Sequence, residues 1–215
     1  MIPLYHDFTG ETVLVFGGGR VGARKACRFA RESTVVVISP EFPLEEYGGA
    51  ERVRAAPTED DVATWFDRAV PALAVAATSD PDVNDAIETA AKERDVLVNR
   101  ADQSGGRDAG SVVVPATVRE GGVTVAVSTG GRSPALSKEI RKRIEAEIQG
   151  ADELAELTAE IRKSLKESGV DPRLRRRAVK DVVESSEVWK DLGRGDSNPR
   201  QTADAVVEAA LGDRT

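Results

Sequence analysis

The sequence predicts an α/β fold: a parallel β-sheet with helices, then a small β-containing segment and a helical C-terminal domain. Short apolar, β-branched runs alternate with helical patterns as far as residue 98, which is typical of a parallel sheet. A polar, glycine-rich segment over residues 103–110 ends this alternation. Beyond it, two β-branched runs precede several stretches whose apolar residues recur at helical spacing.

The N-terminal part contains the predicted parallel strands. They are expected at residues 12–16, 35–38, 53–56, 73–77 and 96–98. The intervening helices are expected to begin near Gly22 and to cover residues 60–67 and 81–94. A chain of 215 residues of which 40% are hydrophobic is long and apolar enough for a proper core.

The C-terminal part begins with a predicted hairpin. Two β-branched runs flank the turn at residues 120–122. A hairpin alone cannot bury both faces, so we expect it to complete the sheet or to pair with a second subunit. Ser133 and Pro134 suit the N-cap and first position of a helix that runs to residue 149. Further helices are expected at residues 152–168, from Asp171 to beyond Trp189, and at residues 198–212.

The bulk composition excludes several classes of function. A net charge of −7 argues against non-specific nucleic-acid binding. One cysteine excludes an intramolecular disulfide framework, and one histidine, His6, excludes a histidine-based metal site or a Ser-His dyad. We therefore expect no resident metal. No long apolar run and no basic, apolar leader are present, which predicts a cytoplasmic protein.

A glycine motif follows the first predicted strand. Gly17, Gly19 and Gly22 stand at the spacing G-x-G-x-x-G between a strand and a helix. The first glycine permits a tight turn, the second lets a pyrophosphate approach the backbone, and the third lets the helix pack close to the strand. This predicts binding of NAD; the alternative is a tight turn without a ligand. The loop residues expected to contact the cofactor are Gly17, Gly18, Gly19, Arg20, Val21 and Gly22.

Two other strand ends point to the same cofactor, because ligands of open α/β sheets bind beyond the carboxyl ends of the strands. The second strand is followed by Ser39, Pro40, Glu41 and Phe42. Glu41 comes two residues later than the acid that usually holds the ribose, so the ribose contact stays open. The fourth strand ends at Thr78 and Ser79, which are expected beside the cofactor, as the N-cap of the next helix, or both.

Asp102 is the candidate catalytic residue. It lies just past the fifth strand, on the side of the sheet where the cofactor is expected. A carboxylate there is placed to act as a general base or to position a proton donor. The alternative is a loop aspartate that caps a turn.

The second candidate site is an anion site at residues 128–134. Glycines and hydroxyls before a helix N-terminus favour anions, and Arg132 and Lys138 add positive charge. With Arg100 and Arg107, these side chains are expected to line a pocket for a polycarboxylate; the alternative is a well-capped helix start. The predicted substrate-binding residues are Asn99, Arg100, Ser128, Thr129, Gly130, Gly131, Arg132, Ser133 and Lys138. The basic run at residues 173–177 is interpreted as a solvated helix face or as a contact to anionic substrate from a dimer partner.

Taken together, these motifs resemble those of one enzyme family. VNRAD followed by STGGRSP, with PLYHDFTGETVLVFGGGRVGARKA near the start, is similar to precorrin-2 dehydrogenases and to the N-terminal module of siroheme synthases. The resemblance implies oxidation of precorrin-2, a carboxylate-rich tetrapyrrole, to sirohydrochlorin with NAD⁺, and in some members insertion of Fe²⁺. It also implies a homodimer with a Rossmann domain at residues 1–111, a dimerisation segment at 112–149 and a helical domain at 150–215.

The resemblance assigns roles residue by residue. Asp102 matches the family's functional aspartate, residues 17–22 match its cofactor loop, and residues 128–133 match its substrate-side loop. The arginine at position 100 and the length of the 103–110 segment depart from the family pattern. Two alternatives stay open: another NAD-dependent oxidoreductase on this fold, and a non-catalytic NAD-sensing module. Turnover of precorrin-2 but not of simple alcohols separates the first, and a module of the second kind has no need for the VNRAD motif.

Overall fold

A computed structural model describes residues 2–103, 111–192 and 198–212. The chain forms two compact units. The first comprises Met1–Val114 with Gly130–Arg132, and the second comprises Pro115–Thr129 with Ser133–Thr215. Each unit is described by itself below.

The first unit is built on a five-stranded parallel sheet in the order β3-β2-β1-β4-β5. The chain moves outward from β1 to β3, then returns to place β4 and β5 on the other side of β1. The carboxyl ends of β1 and β4 therefore form the topological switch point at which such sheets bind ligands. The strands are β1 (Thr12–Phe16), β2 (Thr34–Ser39), β3 (Glu51–Arg54), β4 (Leu73–Ala76) and β5 (Leu97–Arg100).

Helices cover both faces of this sheet, which explains why β1, β2 and β4 are apolar on both sides. Helices α2 (Glu59–Ala69) and α3 (Pro81–Glu93) pack on one face, where Phe16 stacks on Phe66. Helix α1 (Arg20–Phe29) packs on the other face. The predicted α/β fold and its five strands are confirmed; β3 begins two residues earlier than expected and β5 ends two residues later.

The second unit contains a hairpin and five helices in its described part. Strands β6 (Ala116–Glu120) and β7 (Val123–Val127) form a separate two-stranded antiparallel sheet. The expectation that the hairpin completes the parallel sheet is therefore wrong. The helices are α4 (Pro134–Glu147), α5 (Ala151–Glu167), α6 (Pro172–Glu184), α7 (Ser186–Leu192) and α8 (Pro199–Gly212).

The third predicted C-terminal helix is two helices. Ser185 has an extended backbone, with φ −72° and ψ 113°, so α6 ends there and Trp189 belongs to α7. The Ser185 hydroxyl accepts a hydrogen bond from the Val188 amide, 3.4 Å away. A serine that caps the next helix competes with continuation of the previous one, which explains the break.

Helices α5 to α8 share one apolar core. Helix α5 buries one apolar stripe, which consists of Leu154, Leu157, Ile161 and Leu165. The hairpin is attached to this helix by its turn, because the Glu120 carboxylate accepts a 2.6 Å hydrogen bond from the Asp152 amide. In the described residues, no helix is long and apolar enough to cross a bilayer.

Candidate functional site

The three glycines of the motif have the conformations and surroundings that the G-x-G-x-x-G spacing predicts. Gly17 has a φ of +112°, which only glycine adopts readily, and a Cβ on it would lie 2.3 Å from the Ala77 carbonyl oxygen. A Cβ on Gly22 would lie 1.8 Å from the Gly17 carbonyl oxygen, so α1 packs directly on the loop. A Cβ on Gly19 would meet nothing within 4 Å. Gly19 therefore faces open space at the N-terminus of α1, where it is the N-cap.

A cavity of about 560 Å³ lies over this loop, at the switch point of the sheet. The structure brings together residues from four strand ends there. The predicted residues that line it are Gly17, Gly18, Gly19, Arg20, Val21, Ser39, Pro40, Thr78 and Ser79; Ile38, Ala56, Pro57, Ala77, Asp80 and Val83 complete the lining. Ala56 and Pro57, just past β3, were missed because β3 was expected to end later.

Three of the predicted cofactor residues do not line the cavity. Gly22 lies beneath the loop as a packing position. Phe42 is half-buried against Tyr47, with ring centroids 5.4 Å apart. Glu41 is exposed, and its carbonyl oxygen lies close behind Gly18. The positions of these three residues disfavour direct contacts with the cofactor, and such contacts stay a prediction.

Tyr47 supports the loop from below and was not predicted. It is buried, and its hydroxyl donates a 2.5 Å hydrogen bond to the Gly18 carbonyl. The guanidinium of Arg52 stands 5.7 Å from the Tyr47 ring centroid, within the range of a cation–π contact. The middle of the glycine loop is thus fixed by a residue 29 positions away in the chain.

The loop after β4 is held by Asn84, which is buried on α3. Its side-chain amide donates to the Thr78 carbonyl at 3.1 Å and accepts from the Thr78 amide at 3.2 Å. The N-cap of α3 is Asp80, whose carboxylate accepts from the Asp82 and Val83 amides. The expectation that Thr78 or Ser79 is the N-cap is therefore wrong, because Asp80 already satisfies the first turn.

Asp102 is held by Arg100 through two parallel hydrogen bonds, of 3.0 and 2.8 Å. The Arg100 side chain is 4% exposed and also contacts the carboxylates of Asp85 and Glu88 at 2.6 and 2.7 Å. The Asp102 side chain is 27% exposed, so this carboxylate reaches solvent although the arginine that holds it is buried. A bidentate pair of this kind fixes both the position and the orientation of the carboxylate.

This network sets the protonation state of Asp102. Hydrogen bonds from Arg100 lower the pKa of the Asp102 carboxyl, partial burial opposes them, and a hydrogen bond from Asn84 lowers the pKa further. The same contacts, that of Asp102 first, raise the pKa of Arg100. Asp102 is therefore an ionised carboxylate at neutral pH. Asn84 thus links Thr78, which lines the cavity over the glycine loop, to Asp102, which itself does not line it.

Asn99 and Arg100 are both buried, and the Asn99 side-chain oxygen, Oδ1, has no hydrogen-bond partner among the described residues. Asn99 is 1% exposed, and its side chain donates a 2.7 Å hydrogen bond to the Val112 carbonyl. Arg100 is neutralised by its carboxylate partners. Their burial disfavours direct substrate binding by either residue, which stays a prediction. Arg107 lies outside the described residues.

The segment before α4 is organised by its own hydroxyl groups. Gly130 and Gly131 both have positive φ. The Thr129 hydroxyl donates to the Ser133 carbonyl at 3.0 Å, and the Ser133 hydroxyl caps the helix at the Leu136 amide. Ser128, Arg132 and Lys138 are exposed. The predicted helix cap is confirmed, and the anion-binding role of this segment stays a prediction.

The residues over the glycine loop fit a dinucleotide. The open space at Gly19 admits a pyrophosphate against the backbone, and the N-terminus of α1 supplies free N–H groups. A ribose acid directly at the end of β2 is missing, since that position is the buried Ser39. Among the described residues, no group of His, Cys, Asp or Glu side chains is arranged to hold a metal.

Comparisons with known proteins agree with this geometry. A family described as "Putative NAD(P)-binding" matches residues 4–116, and one described as "Sirohaem biosynthesis protein central" matches residues 120–147. A precorrin-2 dehydrogenase of Methanosarcina barkeri is 32% identical over 98% of this chain and 95% of its own length. A siroheme synthase of Azotobacter vinelandii is 36% identical over 98% of this chain, which spans 44% of that protein.

A solved structure shares the fold. SirC, a precorrin-2 dehydrogenase, matches with a TM-score of 0.69 over 97% of this chain and 100% of that chain, at 22% identity. The family model over residues 4–116 covers the parallel sheet that carries the glycine loop and describes it as NAD(P)-binding.

Proposed function

The chain belongs to the family of precorrin-2 dehydrogenases and siroheme synthases, and we propose that it oxidises precorrin-2 to sirohydrochlorin with NAD⁺. One observation carries this proposal. An ionised carboxylate, Asp102, is fixed by a buried arginine just past β5, the strand that pairs with β4, and the residues that follow β4 line the cavity over the glycine loop. A module that only senses NAD needs the cavity but has no use for the carboxylate.

The residues of the chain divide the work of the reaction. The backbone at Gly19 and the N-terminus of α1 hold the pyrophosphate, and Tyr47 and Asn84 keep the two adjoining loops in place. NAD⁺, when bound, accepts a hydride from the substrate. Loss of that hydride leaves a cationic tetrapyrrole, from which a proton must also depart.

Asp102 is suited to receive that proton. Its lowered pKa makes it a weak base, which would be a poor match for a neutral C–H or N–H group. A cation formed by hydride loss is a much stronger acid, so a weak but permanently ionised base suffices. The same negative charge stabilises the cation as it forms.

The experiment that tests the function is anaerobic turnover with precorrin-2 and NAD⁺, followed by absorbance. We expect sirohydrochlorin to form with precorrin-2 and no NADH to form with simple alcohols. NADH formation with alcohols, and none with precorrin-2, would assign the chain to a different oxidoreductase.

Replacing Arg100 with Met is expected to move the acid limb of the kcat/KM profile to higher pH. In the wild type, Arg100 holds the pKa of Asp102 below its ordinary value, so the carboxylate stays ionised into acid. Without the cation, Asp102 loses its hydrogen bonds from Arg100, and its pKa rises. Asp85 loses its ion pair with Arg100, whereas Glu88 keeps one with Lys92. The free energy of unfolding at pH 7 should fall by roughly 3 kcal/mol, at the low end for a broken buried pair because Asp85 is largely exposed.

Arg94→Met is the matched control for this variant. Arg94 also pairs with a carboxylate, Asp67 at 3.0 Å, but does not contact Asp102. The pH profile of R94M should equal that of the wild type. An unshifted acid limb in R100M, or an equal shift in both variants, would contradict the positioning role of Arg100.

We propose that the chain forms a homodimer through the hairpin and α4. Helix α4 has no buried residue although Leu136, Ile140, Ile144 and Ile148 lie on one stripe. Leu136 is 50% exposed. Helix α4 packs on both strands of the hairpin, yet only Val118 is buried there, while Val123, Val125 and Val127 are half-buried. The hairpin and α4 together therefore leave apolar surface for a further layer. A second copy of the same surface supplies that layer.

Replacing Ile144 with Glu should convert the dimer to a monomer, because it places a charge in the apolar stripe. The measurement is light scattering coupled to gel filtration. Glu145→Lys, one position along on the exposed face of α4, changes the charge without touching the stripe and should stay dimeric. A wild-type monomer, or a dimeric I144E, would contradict the proposal.

Insertion of Fe²⁺ into sirohydrochlorin is a second, separate prediction. It is supported by the match to siroheme synthases. Formation of siroheme from sirohydrochlorin and Fe²⁺ without oxygen tests it, and an unchanged sirohydrochlorin spectrum would contradict it. A cytoplasmic location stays a prediction from the sequence.

A further inference from the structure

A cavity with a basic lining lies between α5 and α6 in the second unit. Its volume is about 490 Å³, in the range of small-molecule sites. The lining residues are Arg162, Lys166, Pro172, Arg175, Arg176 and Val179. This group is called the basic cavity below.

The lining residues lie together because of their spacing along two helices. Arg162 and Lys166 are four residues apart on α5, so they share a face. The α6 residues stand at intervals of three and four, which also places them on one face. The basic run at residues 173–177 is therefore divided: Arg175 and Arg176 face the basic cavity, while Arg177 pairs with Asp181.

In the part of the chain that the structure describes, the cations of the basic cavity lack carboxylate partners. Elsewhere in the same unit, ion pairs join Arg141 to Glu145 and Arg200 to Glu160. Within the described ranges, no ion pair joins Arg162, Lys166, Arg175 or Arg176 to a carboxylate. Arg162, Lys166 and Arg176 are exposed and Arg175 is half-buried, so a ligand can reach their charges. In a chain of net charge −7, a local group of cations around one cavity favours an anionic ligand.

We propose that the basic cavity binds carboxylate side chains of the tetrapyrrole, an inference that rests on the proposed function. Arginine forms paired hydrogen bonds with carboxylates, and the substrate class is rich in them. Pro172 and Val179 add an apolar part to the lining, which suits the edge of a macrocycle. A nucleic acid fits less well, because the overall charge of the chain repels a long polyanion.

Binding of uroporphyrin, a fully aromatic and carboxylate-rich porphyrin, tests the proposal without any reaction. Titration of the full chain by fluorescence quenching gives the affinity. The variant Arg162→Ser/Arg176→Ser removes one charge from each helix of the basic cavity. The dissociation constant should rise by at least about tenfold, as expected for the loss of charge-assisted hydrogen bonds.

The matched control is Lys163→Ser/Arg173→Ser, which removes one exposed charge from each of the same helices outside the lining. Its dissociation constant should stay within about twofold of the wild type, since only general attraction changes. Equal weakening in both variants, no weakening in either, or no porphyrin binding by the wild type would overturn the proposal. Wild-type turnover of precorrin-2, measured separately, distinguishes failure of the proposed function from failure of this inference.

Discussion

Asp102→Asn is expected to lower kcat for precorrin-2 oxidation by about two to three orders of magnitude, as is typical for loss of a general base. The amide has nearly the same shape but carries no charge, so it neither accepts the proton nor stabilises the cation. NAD⁺ affinity should be unchanged, because Asp102 is not among the residues that line the cavity over the glycine loop. Single-turnover kinetics and NAD⁺ titration measure the two quantities separately.

Asp85→Asn is the control for Asp102→Asn. Asp85 contacts the same Arg100 Nη1 atom that also reaches Glu88, yet its side chain is 67% exposed. Its loss should lower kcat by less than about fivefold, because Arg100 keeps its pairs with Glu88 and Asp102. Full activity in D102N with intact NAD⁺ binding would remove Asp102 from the mechanism.

Gly19→Leu is expected to weaken NAD⁺ binding by more than about a hundredfold while the protein stays folded. The φ of Gly19 is −72°, which any residue adopts, and the space beside it is open. A side chain there is accommodated by the protein but occupies the place of the pyrophosphate. The melting temperature and the NAD⁺ dissociation constant are the measurements.

Gly22→Ala is expected to destabilise the folded protein, in contrast to Gly19→Leu. Its Cβ would collide with the Gly17 carbonyl, so the expected effect is a lower melting temperature from overpacking. The two glycines thus separate ligand binding from stability within one motif. If G19L binds NAD⁺ as the wild type does, the dinucleotide lies elsewhere.

The glycine loop was predictable because its signal is local. Turn, open approach and close packing follow from three glycines within six residues. Tyr47 was not predictable, because the hydrogen bond to Gly18 spans 29 positions and no spacing rule connects them. The same holds for the approach of Glu88 to Arg100, which requires knowledge of how α3 packs beside β5.

The Arg100–Asp102 pair left a signal that was available in the sequence. Opposite charges at positions 100 and 102 are close enough in the chain to predict an ion pair, although β5 ends at Arg100 and Asp102 lies in the bend that follows. Arg100 was interpreted instead as a substrate ligand, because a basic residue near the pocket suits a polyanion. Burial decides between these interpretations, and burial depends on α3.

In the second unit too, some features could be predicted from the sequence and others could not. Apolar spacing predicted the helices, but the Ser185 break depends on one hydroxyl that caps α7. The basic run at 173–177 was interpreted mainly as a solvated face. Only the packing of α6 against α5 shows that part of it meets Arg162 and Lys166 around one cavity.

The most direct test of the central claim is a single anaerobic turnover with enzyme and NAD⁺ in excess over precorrin-2. NADH and sirohydrochlorin are followed together by their separate absorbance bands. If the glycine loop and Asp102 act in one reaction, both products appear at the same rate and in equal amounts. D102N then slows the formation of both products equally. Sirohydrochlorin formed without NADH, or NADH formed without sirohydrochlorin, would contradict this account.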